Sequence, residues 1–355
     1  MIDSISESGH LKETRHRLLC ADAADLQSIV TEQVHLVVTS PPYPMIAMWD
    51  SAFSAQSGDI SEALQGDRCD EAFESMHRIL DRVWAGCHSL LSDGGFLCIN
   101  IGDAVRSCGG EFRLYSNYTR IVRAITSMGF TLLPSIIWRK PANSPTKFMG
   151  SGMLPAGAYV TLEHEQIIIC RKSPREAKNT AERKRRRRSA IFWEERNAWY
   201  SDLWSFTGTR QGLREGSRSR SGAFPLELPY RLISMYSWQG DTVLDPFAGT
   251  GTTTLAAIAA GRNSVAVERD AQLLSSAEKR ALSDDTVRTL ENRAVQRVSE
   301  HKRYLESREK PTKHLHVASG VPVVTGQETE LVVPVVAHVE KVGSQLRCTY
   351  TEAQL

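Results

Sequence analysis

Thr242-Val243-Leu244-Asp245-Pro246-Phe247-Ala248-Gly249-Thr250-Gly251-Thr252-Thr253 reads as a short buried strand running into a glycine-punctuated turn and then a helix. The apolar run stops at Asp245-Pro246, and a proline cannot serve a central ladder. Glycines at 249 and 251 let the backbone approach a ligand closely, and the helix that follows, to about Ala260, offers unpaired N–H groups at its start. A second strand, Ser264 to Val267, ends at Glu268, 23 residues after Asp245. A carboxylate at that offset is placed to bind ribose hydroxyls.

The same texture extends outward. Arg17 to Cys20 and His35 to Thr39 read as buried strands, ending at Asp22 and Ser40. Helical spacing follows from about Asp70 to Leu91, then a strand over Phe96 to Asn100 and a helix from about Tyr115 to Met128 that stops at Gly129. Further strands are expected at Leu132 to Trp138 and Gln166 to Cys170, a helix at Leu226 to Tyr236, and a long polar helical region from about Asp270 to Glu309. The last 45 or so residues read as β-rich. Alternating strands and helices predict an α/β fold with a doubly wound, mostly parallel sheet. Ligands of such sheets bind beyond the carboxyl ends of the strands. Asp22, Ser40, Asp245 and Glu268 all follow strand ends and are expected to converge on one edge.

Two nucleotide-loop readings fail for the glycine turn. A P-loop needs a lysine after its last glycine, where this chain has Thr252-Thr253-Thr254. The nicotinamide fingerprint wants a third glycine, which supports packing near a pyrophosphate, and Thr254 stands there. S-adenosylmethionine has no pyrophosphate, and Asp245 suits its cationic amino group. A tight strand–helix turn without a ligand is the alternative.

Ser40-Pro41-Pro42-Tyr43 follows the other buried strand. Two prolines fix the backbone, so nearby carbonyl and hydroxyl groups are held in place. An exocyclic base amine is a poor nucleophile because its lone pair is delocalised into the ring. Acceptors aimed at its two hydrogens, here the Ser40 hydroxyl and the Pro41 carbonyl, favour a pyramidal nitrogen. Tyr43 offers a face on which an extruded base stacks. Alone, the tetrapeptide is also an ordinary proline-rich turn. Asp50 and Trp49 lie close behind it, as cleft residues or as simple loop anchors.

Together the two loops resemble those of the amino-group DNA methyltransferases, specifically the permuted beta group whose catalytic motif precedes its cofactor motif. Thr39-Ser-Pro-Pro-Tyr43 matches the catalytic motif and Asp245 to Thr253 the cofactor motif, and the likeness runs from about residue 17 to 285. The resemblance implies a Rossmann-like methyltransferase domain that uses S-adenosylmethionine. It implies Ser40, Pro41, Pro42 and Tyr43 as catalytic, and Asp22, Phe224, Pro225, Asp245, Pro246, Phe247, Gly249, Gly251, Thr252 and Glu268 as cofactor-binding residues. Serine at the first motif position is typical of cytosine-N4 enzymes, aspartate or asparagine of many adenine-N6 enzymes. Cytosine-C5 chemistry needs a cysteine nucleophile, placed in that family directly after a proline, and no Pro-Cys occurs here.

Between Arg171 and Arg220 the chain carries 15 Lys/Arg against 6 Asp/Glu, a local net of +9 on a protein of net +2. A basic segment on an otherwise acidic chain points to a polyanionic partner, here double-stranded DNA, or to a solvated loop. In the resembling family this region carries target recognition. Arg183, Lys184, Arg185, Arg186, Arg187 and Arg188 are too dense to read single bases and suit phosphates. Arg210, Arg214, Arg218 and Arg220, spaced among serines and glycines, can reach guanine edges.

The expected organisation is a catalytic half (1–171), a basic recognition region (172–222), a cofactor-binding half (223–310) and a β-rich C-terminal extension (311–355) of no recognised role. Seven cysteines without a C-x-x-C pair suggest neither a disulfide framework nor a zinc site, and no metal is expected. No signal-peptide pattern or membrane-length apolar run occurs, so a reduced, cytoplasmic monomer or homodimer is expected. A cognate restriction endonuclease is the expected functional companion. An adenine-N6 enzyme, an RNA or protein amide methyltransferase, and a DNA-binding protein with a degenerate methyltransferase fold are the competing readings.

Overall fold

The computed structural model describes residues 11–140, 149–150, 154–174, 179–207 and 224–353. Its frame is a ten-stranded sheet. In chain order the strands are β1 (Glu13–Cys20), β2 (Val34–Thr39), β3 (Leu91–Ile101), β4 (Phe130–Arg139), β5 (His164–Lys172), β6 (Leu203–Ser205), β7 (Thr242–Asp245), β8 (Asn263–Glu268), β9 (Pro334–Val342) and β10 (Gln345–Glu352). Their order across the sheet is β6-β4-β5-β3-β2-β7-β8-β1-β10-β9. The central run β3-β2-β7-β8-β1 is parallel throughout. β5 runs antiparallel to both its neighbours, and β10 to both of its own.

The centre is parallel because its strands are apolar on both faces. Leu36, Val37, Val38, Val243, Leu244, Val265 and Val267 are all buried, the pattern of a sheet covered by helices on each side. On one face lie α1 (Cys69–Leu90) and α2 (Asn117–Ser127), which contribute Met76, Leu80, Val83, Trp84, Ile121 and Ile125. On the other lie α5 (Glu227–Tyr236) and α6 (Thr252–Ala260), with Leu228, Leu232, Ile233, Leu255 and Ile258. Every residue of α6 is buried, so it has no polar face and lies inside the fold. The expected long helical region breaks at Leu282-Ser283 into α7 (Ala271–Ala281) and α8 (Asp284–Glu306).

The basic segment begins on the sheet: Arg171 and Lys172 still belong to β5. Beyond it come α3 (Thr180–Arg188), α4 (Trp193–Trp199) and β6, which pairs in parallel with β4. Three of its aromatics are core: Phe192, Trp199 and Trp204 are buried, the last two in the same cluster as Tyr230, whereas Tyr200 is exposed. Arg297 of α8 clamps the segment, donating to both oxygens of Glu195 at 2.5 and 2.7 Å and to the Tyr230 hydroxyl at 2.9 Å. The C-terminal hairpin β9–β10 extends the same sheet along the edge of β1.

Two features depart from expectation. Ala104–Cys108 and Glu111–Tyr115 form a hairpin outside the main sheet. It brings Cys108 to the start of α1, where it is disulfide-bonded to Cys69, with Cα atoms 6.3 Å apart. The expectation of unpaired thiols is corrected by this bond, which joins residues 39 apart that no sequence spacing relates. Among the described residues, Cys20, Cys87, Cys98, Cys170 and Cys348 are free, and no helix is long and apolar enough to cross a membrane.

Candidate active site

The two motif loops lie side by side because their strands do. β2 and β7 pair at Val37↔Leu244, so Ser40 and Asp245 leave the sheet together. The Thr39 hydroxyl donates across that gap to Asp245 Oδ1 at 2.7 Å, and the Phe247 amide donates to the same oxygen at 3.1 Å. Asp245 is 3% exposed. Burial pushes its carboxyl up to about 6, against the pull of the Thr39 and Phe247 hydrogen bonds. Among the described residues no cation pairs with it, so the buried carboxylate is short of one compensating charge.

On the other side of β7, Glu268 closes the end of β8. Its Oε2 accepts from the Gly249 amide and its Oε1 from the Asp270 amide, each at 2.9 Å. Each oxygen keeps a lone-pair position for another donor. Gly249 sits at φ +52 and Gly251, the cap of α6, at φ +77, both left-handed. A Cβ on Gly251 would stand 2.9 Å from the Ala277 Cβ, so this loop is packed down on α7. Asp22, at the end of β1, caps the short turn behind it by accepting from the Ala24 amide at 2.8 Å.

A cavity of about 530 Å³ opens over these loops, within the usual range for a small-molecule site. Ser40, Pro41, Pro42, Tyr43, Asp22, Phe224, Asp245, Pro246, Phe247, Gly249, Thr252 and Glu268 all line it. Pro225 and Gly251 do not: Pro225 accepts from the Leu228 amide in the first turn of α5, and Gly251 shapes the backbone from behind. Trp49 lines the cavity, whereas Asp50 is held by Arg106 at 2.8 to 2.9 Å, a loop anchor. The lining suits S-adenosylmethionine. The cavity presents a buried carboxyl at Asp245, further carboxyl groups at Glu268 and Asp22, and an apolar wall of Phe247, Ile79, Leu80 and Val83.

Three polar residues were not singled out by the sequence. Glu165 and Lys140 line the cavity, and buried Asn100 stands behind it. Tyr43 donates its hydroxyl to Glu165 Oε2 at 2.9 Å, and the Asn100 amide donates to the Tyr43 oxygen at 2.9 Å and to Glu165 Oε2 at 2.6 Å. Lys140 is ion-paired to Glu165 Oε1 and sits over the Trp138 ring at 4.6 Å. His164-Glu165 and Arg139-Lys140 merely flank strands in the sequence, so only the register of β4 against β5 reveals them.

The arginine run forms α3, and its members face different ways. Arg185 donates to buried Asp241 at 2.8 Å, Arg187 to Glu330 at 2.8 Å and Arg188 to Glu352 at 2.6 Å, tying the segment to the residue before β7 and to the C-terminal extension. Arg183, Lys184 and Arg186 are exposed. Arg210, Arg214, Arg218 and Arg220 lie outside the described residues. Glu194, His301 and Glu328 are grouped closely enough to hold a metal ion. The Glu328 carboxylate is already taken there by the Trp193 amide and by the amide and hydroxyl of Thr325.

The model of the DNA methylase family N6_N4_Mtase matches residues 34–279, a span that includes both motif loops. The Type II methyltransferase M.MthZI of Methanothermobacter thermautotrophicus is 45% identical over 323 residues, covering 90% of this chain and 90% of its own length. M.MjaI of Methanocaldococcus jannaschii is 44% identical over 272 residues, covering 73% of this chain and 89% of its own. Among solved structures, TTHA0409 of Thermus thermophilus in complex with S-adenosyl-L-methionine superposes with a TM-score of 0.58 at 32% identity, over 75% of this chain and 92% of its own. The PvuII cytosine-N4-specific DNA methyltransferase shares the fold, with a TM-score of 0.52 at 18% identity over 76% and 88% of the two chains. With both loops opening into one cavity on a Rossmann-like sheet, the chain belongs to the N6_N4_Mtase family and is a DNA methyltransferase that uses S-adenosylmethionine.

Proposed function

We propose that this enzyme methylates the N4 amino group of a cytosine flipped out of double-stranded DNA, as the modification enzyme of a Type II restriction–modification pair. The observation that carries the reading is Ser40, the first residue of the motif, lining the same cavity as Asp245 and Glu268. S-adenosylmethionine supplies an electrophilic methyl group when bound. Asp245 pairs with its ammonium, Glu268 and Asp22 accept from its hydroxyl and amino groups, and the glycine loop leaves room for its backbone contacts. The Ser40 hydroxyl and Pro41 carbonyl accept from the target amine and turn its lone pair towards the methyl group. Tyr43 stacks on the base.

The Type II names of M.MthZI and M.MjaI support a sequence-specific target and a companion endonuclease. The exposed part of α3 supplies phosphate contacts, and Arg210, Arg214, Arg218 and Arg220 supply the contacts to base edges. Enzymatic digestion of methylated DNA to nucleosides tests the base assignment. N4-methylcytosine is the expected product, and N6-methyladenine would overturn it.

A further inference from the structure

We propose that Glu165 is the terminal acceptor of the proton that leaves the target amine, reached through the hydroxyls of Ser40 and Tyr43. The inference rests on Ser40 being the residue that meets the amine.

The hydrogen-bond directions around Tyr43 are fixed by chemistry. The Asn100 amide nitrogen can only donate, and it points at the Tyr43 oxygen from 2.9 Å. The Glu165 carboxylate can only accept, and Tyr43 has one proton to give it, across 2.9 Å. Among the described residues, the remaining hydrogen-bond partner of that phenol is Ser40 Oγ at 3.1 Å. With the phenol proton committed to Glu165, Ser40 must be the donor there. Its own proton therefore points at Tyr43, which leaves its lone pairs for the cavity. The network makes Ser40 an acceptor toward the substrate before any base arrives.

The same chain is a proton path. A methylated exocyclic amine must lose one proton to become the neutral product. As the N–CH3 bond forms, the nitrogen gives a proton to Ser40 Oγ. Ser40 passes its hydroxyl proton to Tyr43, and Tyr43 passes its own to Glu165 Oε2. One N–H bond is lost and one O–H bond, on Glu165, is gained. Ser40 and Tyr43 end as they began, and the pair of the broken carbon–sulfur bond stays with sulfur, so nothing is oxidised or reduced. Burial, with the Glu165 charge beside it, pushes the Tyr43 phenol well above its ordinary range, so it transmits a proton rather than holding a negative charge. Lys140, paired with the other Glu165 oxygen, has a 37% exposed side chain, so the accepting carboxyl lies one ion pair from solvent. Gly102 seals the other side, since a Cβ there would stand 3.1 Å from the Tyr43 ring and 3.3 Å from Glu165 Cγ.

Glu165 acts through Tyr43 and is a positioning residue as well as a proton acceptor, so its test compares rate with binding. Single-turnover methyl transfer is measured for the wild type, Glu165→Gln, Tyr43→Phe and the double variant. S-adenosylmethionine and DNA dissociation constants are measured alongside. The expected result is a loss on the order of 100-fold in the transfer rate for each single variant. Both dissociation constants stay within about two-fold, and the double variant is no slower than the slower single one, because both break one chain. Glu165→Asp recovers part of the rate. Transfer by Glu165→Gln within about two-fold of wild type, or additive losses in the double variant, would overturn the relay. Tyr43→Phe keeps the ring and reads the same chain should Glu165→Gln not fold. An adenine product would remove the base assignment while leaving these rate comparisons to judge the relay.

Discussion

Replacing Asp245 by Asn separates what the cofactor site costs the fold from what it gives the enzyme. Asp245 is buried beside β2, and burial pushes its carboxyl up to about 6 from the 3.8 of an ordinary aspartate. The folded state therefore binds the proton more tightly than the unfolded chain. Stability falls as pH rises between about 3.8 and 6 and levels off above, by up to about 3 kcal/mol in all. Asparagine keeps the oxygen that accepts from Thr39 and Phe247 and removes the charge. Cofactor-free Asp245→Asn is expected to be more stable than wild type at pH 8, by as much as that 3 kcal/mol, and equal to it near pH 4. On the proposed pairing of Asp245 with the ammonium group, its affinity for S-adenosylmethionine is expected to fall at least about ten-fold. Urea unfolding at several pH values reads the first effect and calorimetric titration the second. In the wild type, affinity declines as pH drops below about 6, whereas the variant stays flat. A variant that is less stable than wild type at pH 8, or one whose difference is the same at pH 4 and pH 8, would falsify the argument.

Tyr43→Ala removes both the proposed stacking surface and the hydroxyl, and is expected to lose nearly all methylation while cofactor binding, measured by calorimetry, is retained; normal methylation would exclude Tyr43 from both roles. The Cys69–Cys108 bond closes a loop of 39 residues, so opening it by reduction or by a double Ser substitution is expected to lower stability by about 2–4 kcal/mol, visible as a shift of the urea midpoint between oxidised and reduced samples. Two members of the arginine run are expected to behave differently. Arg185→Ala removes one charged partner of buried Asp241, which keeps the Trp238 amide at 2.8 Å, and costs about 1–2 kcal/mol of stability. Arg186→Ala leaves stability unchanged and lowers the slope of log affinity for DNA against log salt by about 0.9.

What the sequence makes legible here is what chain-local chemistry determines. A central parallel strand must be apolar on both faces, and the loop that ends it must carry proline or glycine. Leu36 to Tyr43 and Val243 to Gly251 therefore announce strand, turn and site at once. The arginine run was legible only as charge. That Arg185 and Arg188 are used as struts follows from Asp241 and Glu352, 56 and 164 residues away. The disulfide is hidden for the same reason, since its partners meet only after the hairpin folds back on α1. Glu165 is the instructive case. In an all-parallel sheet, the residues that open a strand lie at the edge opposite the ligand. β5 is reversed, pairing Gln166 with Ile101 at the end of β3 and Arg171 with Phe96 further back. That reversal alone carries Glu165 to the carboxyl edge, beside Lys140 at the end of β4 and within hydrogen-bond reach of Tyr43. A parallel β5 would have delivered Lys172 there instead and left the Tyr43 phenol without its acceptor. The direction of one strand, which no local pattern encodes, decides whether the Tyr43 phenol, and through it the Ser40 hydroxyl, is held by a carboxylate.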